Sequence, residues 1–147
     1  MKLKKWKLLS RKFYKRGLID NMSAHTDRQS LGAAFKNAGA GVCSAIKHER
    51  NIKIHLVFAA LALFLGFSLH ISLAEWLAVL LCIALVISLE LMNSAIEAVV
   101  DLVSPTYNSL AKTAKDCAAG AVLVSAAVSV VVALVVFLPK VLVLIEG

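Results

Sequence analysis

The residue types best suited to chemistry crowd into one short string, ELMNSAIEAVVD, which runs from Glu90 to Asp101. It sets Glu90, Asn93, Glu97 and Asp101 at i, i+3, i+7 and i+11, so a helix would carry all four on one face. The two glutamates stand about 10 Å apart along such a helix. They are therefore not a close pair clamping one small ion, but neighbouring stations, one suited to a base and one to a metal ligand. Glu90 also follows an almost unbroken apolar run, LAVLLCIALVISL. A carboxylate placed at membrane depth costs roughly 2.5–3.5 kcal/mol on insertion scales, and it is well placed to accept a proton from a hydroxyl. The alternative is a structural hydrogen-bonding cluster at a helix interface. Four polar groups on one face favour chemistry.

Two further clusters flank this row. Lys112, Lys115 and Asp116 precede the last apolar run. Lysines at a helix start oppose the helix dipole and need another reason, either a phosphate or a cytoplasmic loop rich in positive charge. Asp116 suits that cluster or a helix N-cap. The other group is Lys47-His48-Glu49-Arg50-Asn51, with His55 beyond it. Glu49 falls where a surface helix would meet the first span, and from there it can approach the carboxylates of the second span. His48 and His55 lack a third soft ligand for zinc. Carboxylates, an amide and lysines at a membrane surface favour magnesium-dependent phosphoryl transfer, as one option among several. Gly39-Ala40-Gly41 is not a nucleotide loop, because no strand precedes it and no GK[ST] follows. It reads as close helix packing.

The elements that must hold these groups are membrane helices. Of 147 residues, 60% are hydrophobic and 17% charged, and the mean hydropathy is +0.82. A soluble domain carries nearer a quarter charged residues. The apolar excess predicts spans at about 54–69, 75–100 and 117–138, with His70-Ile71-Ser72 as a turn, Pro105 as a breaker and Pro139 as the stop of the third span. Before them, apolar residues from Leu31 to Ile46 recur every three or four positions, predicting an amphipathic surface helix with Ser30 as its cap. Residues 1–29 form a basic arm whose aromatic residues suit a headgroup layer, and no cleaved signal peptide is evident. Thirteen of the sixteen Lys and Arg lie between Lys2 and Lys53. Beside a span, this charge points to anionic phospholipids and a cytoplasmic amino terminus rather than to nucleic acid. The turn at His70 has no Lys or Arg, so the carboxyl terminus is expected outside. Cys43, Cys82 and Cys117 fit no disulfide or metal spacing and read as small packing residues. Three spans enclose little volume, so a site here would need neighbouring subunits.

From about Ser30 to Leu138 the chain resembles the bacterial diacylglycerol kinase family, small membrane kinases unrelated to soluble lipid kinases. The strongest motif is Glu90-Leu-Met-Asn-Ser-Ala-Ile-Glu97-Ala-Val-Val-Asp101. Ala114-Lys115-Asp116 and Glu49-Arg-Asn51-Ile-Lys-Ile-His55 add to it, the last resembling the Gram-positive undecaprenol kinase branch. The resemblance implies an all-α homotrimeric bundle of three transmembrane helices and a surface helix per chain, in the bacterial cell membrane. It implies ATP-dependent phosphorylation of a membrane lipid alcohol, undecaprenol above diacylglycerol, with a non-catalytic interaction protein on the same scaffold as the remaining alternative. By the same resemblance Glu90 is the catalytic base and Glu49 and Glu97 hold Mg2+. Asn93 is an active-site amide, and Asp101, Tyr107, Lys115 and Asp116 contact or support the nucleotide. Asn108, Ala119, Ser30 and Asn37 depart from the Gram-negative pattern, so nucleotide and lipid contacts from the surface helix do not transfer.

Overall fold

The computed structural model describes residues 30–146, and the basic arm expected over 1–29 lies outside the described residues. The chain divides into two units, Met1–Ala40 and Gly41–Gly147. Among the described residues it is all helix: α1 Leu31–His48, α2 Arg50–Ser68, α3 Leu73–Val103 and α4 Ser109–Glu146. Ser30 caps α1 as expected, its Oγ accepting from the Ala33 N–H at 3.3 Å. None of the α1 residues is buried.

In the second unit, α3 packs mainly on α4, and α2 leans mainly on α3. The turn between α2 and α3 is specified residue by residue. His70, at φ 50°, is left-handed, and its N–H donates to the Phe67 carbonyl while the Ile71 N–H reaches back to Gly66. This is a Schellman ending with a histidine where glycine is usual. Ser72 then starts α3 through a capping box: its Oγ accepts from the Glu75 N–H, and Glu75 Oε2 accepts from the Ser72 N–H at 2.6 Å. Glu75 also pairs with Lys140 at 3.2 Å, joining the start of α3 to α4. Between these points lies the core of Ile71, Val79, Val136 and Phe137, with Trp76 and Leu65 packed against it.

The helices α2, α3 and α4 are long and apolar enough to cross a membrane. Large apolar side chains such as Phe58, Phe64, Leu81, Leu123 and Val135 are exposed, whereas Glu90 and Asn93 are buried. That distribution, the reverse of a water-soluble protein's, suits helices solvated by lipid tails. The chain is a multi-pass membrane protein. The 31 residues of α3 span about 46 Å at ~1.5 Å per residue, well beyond the ~30 Å hydrocarbon core.

The structure corrects the expected third span. α4 starts at Ser109, not Cys117, and continues through Pro139 to Glu146. Proline removes one backbone donor and crowds the preceding turn. Here Val136 and Phe137 just before it are buried in the core, and Lys140 just after it is tied to Glu75. Both flanks of the proline are thus held in helical register.

Candidate active site

The site begins where α1 gives way to α2. Glu49 is extended, at φ −90° and ψ 125°, and occupies the N-cap position of α2, yet its side chain makes no cap hydrogen bond. The junction is held by other groups. The His48 ring pairs with the Ser44 carbonyl at 2.9 Å, and Lys53 Nζ donates to the Lys47 carbonyl at 2.9 Å. Ile52, 1% exposed, anchors the first turn of α2.

Against this turn lies Glu90, only 2% exposed. Its carboxylate has the Asn51 side chain as its polar neighbour on α2, while the His55 ring, Glu49 and Glu97 act on it only electrostatically, from beyond ion-pair distance. A single chain therefore gathers three glutamates contributed by the α1–α2 junction and α3. Further along the same face, Asn93 Nδ2 donates to Glu97 Oε1 at 3.2 Å. Asn93 Oδ1 is buried with no hydrogen-bond partner among the described residues. Reckoned from Glu75, Glu90 stands about 22 Å along α3, Glu97 about 33 Å and Asp101 about 39 Å. With Glu75 at the interface, a ~30 Å core would end between Asn93 and Glu97, which puts Glu90 within it and Asp101 beyond it.

At that outer end, Lys115 of α4 donates to Asp101 Oδ1 at 2.9 Å and also feels the charge of Glu97. Lys112 pairs with Asp116 on the exposed side of α4. The reading of Asp116 as an N-cap is not met, because α4 begins two turns earlier. Asn108 is the cap, its Oδ1 accepting from the Leu110 and Ala111 N–H groups at 2.8 and 3.3 Å. Tyr107 is 85% exposed in the α3–α4 connection and makes no hydrogen bond or ion pair among the described residues. The structure thus brings Glu49, Glu90, Asn93, Glu97, Asp101 and Lys115 into one strip and leaves Tyr107 and Asp116 outside it.

Among the described residues no three of His, Cys, Asp and Glu form a ready-made metal cluster. Glu49 and Glu97 offer carboxylate oxygens, and Mg2+ is usually held by one or two carboxylates completed by phosphate oxygens and water. The donor set fits that ion. One turn before Glu90, α2, α3 and α4 line an apolar cleft of about 320 Å3, with His55, Cys82, Val86, Ile87, Ala126 and Ser129 among its walls. In the sequence His55 stands only beside an incomplete zinc set, and Asn51 is marked by nothing but its place in a motif. Their i, i+4 spacing on α2 was the available signal.

A carboxylate strip leading to an apolar cleft is what a kinase of lipid alcohols requires, and residues 36–137 match the prokaryotic diacylglycerol kinase family. The chain belongs to that family. Among its relatives, "Undecaprenol kinase" of Bacillus subtilis (strain 168) is 42% identical over 122 residues, covering 81% of this chain and 99% of the relative. "Diacylglycerol kinase" of Synechocystis sp. is 41% identical over 114 residues, covering 77% of this chain and 65% of that one. The family match over residues 36–137 spans the strip and the cleft together.

Proposed function

We propose that this membrane enzyme transfers the terminal phosphoryl group of ATP to undecaprenol, giving undecaprenyl phosphate at the cytoplasmic face, and that it works as a homotrimer. The observation that carries the reading is buried Glu90, at the head of an acidic strip and one turn along α3 from Val86 and Ile87 of the apolar cleft. A lipid alcohol must present its hydroxyl at such a boundary. The likeness to an undecaprenol kinase over nearly that relative's whole length favours a polyprenol as the alcohol.

In this mechanism Glu90 takes the proton of the hydroxyl. The alcohol oxygen forms its bond to the terminal phosphorus as the bond to the bridging oxygen breaks, and ADP leaves. Mg2+ held by Glu49 and Glu97 would neutralise charge on the phosphates. Asn93 fixes the Glu97 carboxylate, and its vacant Oδ1 remains an acceptor for a bound group. Lys115, oriented by Asp101, offers positive charge to the nucleotide phosphates. Tyr107 and Asp116 sit at the solvent side, where they support the nucleotide's outer part.

The second reading, diacylglycerol as substrate, is favoured by the Synechocystis relative. Purified protein with labelled ATP, Mg2+ and each lipid alcohol separates the two. Label should enter undecaprenol faster than diacylglycerol, and the reverse order supports the second reading. Glu90→Gln should abolish turnover with the oligomer intact. Transfer to neither lipid by a folded oligomer would favour a non-catalytic scaffold instead.

A further inference from the structure

At the end of the bundle opposite Asp101 and Lys115, α2 and α4 line a second cavity, an open recess of about 410 Å3. Ser68, Leu69 and His70 form one wall, where α2 ends. Pro139, Lys140, Val143 and Leu144 of α4 form the other. These four lie past residue 137, where the match to the diacylglycerol kinase family stops, and the proposed phosphoryl transfer does not use the recess.

Its polar groups suit an anion. Lys140 Nζ gives one N–H to Glu75 Oε1 at 3.2 Å, and the other oxygen of Glu75 accepts from the Ser72 N–H. Glu75 does not line the recess, and an ammonium has three N–H groups. Lys140 is thus held from outside the recess and keeps donors for it. The Ser68 hydroxyl and the His70 ring make no hydrogen bond or ion pair among the described residues. His70 stands at φ 50°, where a glycine would make the same turn without strain. A strained residue that aims a polar ring into a cavity points to a use of that ring. The remaining walls, Leu69, Val143 and Leu144, are apolar. Both helix faces also continue toward the middle of the bundle with exposed apolar side chains, Phe64 one turn before Ser68 and Val135 one turn before Pro139.

We propose that this recess binds the phosphate of an anionic phospholipid. Lys140 and His70 donate to the phosphate oxygens, and the acyl chains lie along Phe64 and Val135. Inorganic phosphate would match the donors but leave the apolar walls wet. A zwitterionic headgroup would bring a cation to a recess lined by no carboxylate.

Trp76 can report the occupant. It follows Glu75 on α3 and packs against Phe67, next to Ser68, and the only other tryptophan is Trp6. The full chain carrying Trp6→Phe is placed in phosphatidylcholine nanodiscs with increasing brominated phosphatidylglycerol or brominated phosphatidylcholine, since bromine quenches indole fluorescence only at short range. The anionic lipid should reach half-maximal quenching at the lower mole fraction. In Lys140→Gln its half-point should rise about tenfold, as loss of a charged hydrogen bond implies, and in His70→Gly about fivefold, as for a neutral one. His70→Gly should at the same time raise the melting temperature, because it relieves the turn, so loss of binding there cannot come from unfolding. If Lys140→Gln does not fold, His70→Gly alone decides. Equal half-points for the two lipids in the Trp6→Phe protein overturn the proposal, as does an unchanged half-point in either folded variant. Relief of the quenching by inorganic phosphate at constant ionic strength would mark a site for the free anion and sink the phospholipid assignment.

Discussion

Asn93 shows how a single side chain is committed here. Its amide donates to Glu97, and the opposite orientation would set two acceptors against each other, so the network fixes which way it points. The cost is a buried Oδ1 without a partner, roughly 1–3 kcal/mol by the usual penalty for such an atom. Asn93→Ala removes that penalty and opens a small cavity, two effects of opposite sign. We expect the melting temperature in detergent to stay within a few degrees, while turnover falls at least tenfold as Glu97 loses its donor. A large drop in melting temperature with the remaining folded enzyme fully active would make Asn93 a packing residue. The row Glu90 to Asp101 was legible in the sequence because one helix's periodicity defines its face without reference to anything else. The face of α2 turned toward Glu90 was not, since it depends on which side of α2 meets α3. That rotation is fixed by Ile52, which has nothing to distinguish it in the sequence.

At the level of elements, the α2–α3 turn sets where α3 starts and hence how deep its carboxylates lie. A Cβ at Gly66 would stand 2.8 Å from Trp76 Cη2 and 3.1 Å from Ile71 Cδ1, while Trp76 also packs at a tilt against Phe67 with ring centroids 4.7 Å apart. Gly66→Ala must displace the indole and should cost about 1–3 kcal/mol of stability, as overpacking does. In contrast, His70 sits at positive φ, which costs an L-residue roughly 1–2 kcal/mol, and His70→Gly should recover part of that. Thermal unfolding in one detergent should move down for the first and up for the second, and equal shifts of one sign would refute this account of the turn. The spans themselves were readable from hydropathy, as were the Pro105 break and the Ser30 cap. Pro139 and Asp116 misled because each was judged by local preference. The helix through Pro139 is kept by core contacts on one side and the Glu75–Lys140 pair on the other, and Asn108 supplies the cap two turns before Asp116. Contacts between residues more than sixty positions apart are not written in any local pattern.

For the whole molecule, three crossings would put the start of α2 and the end of α4 on opposite sides, and charge predicts the direction. Lysines and arginines concentrate before and within the start of α2 and again at Lys112 and Lys115, whereas the turn at His70 has none. Lys140 is the one basic residue toward the other side, and its pairing with Glu75 weakens it as a topology signal. Trp76 lies at that same end, where aromatic rings favour the interface. The turn and the carboxyl terminus should therefore face outward, and the α3–α4 connection should face the cytoplasm. With Cys43, Cys82 and Cys117 replaced by Ser, a single cysteine at Ser72 or Glu146 should react with an impermeant maleimide in intact spheroplasts. One at Thr106 should react only after the membrane is opened. The same orientation carries a mechanistic demand, because it would set Asp101 and Lys115 beyond the lipid core on the side of Thr106. If Thr106→Cys is labelled from outside, this end of the strip would face away from cytoplasmic ATP, and the proposed direction of phosphoryl transfer would fall with the topology.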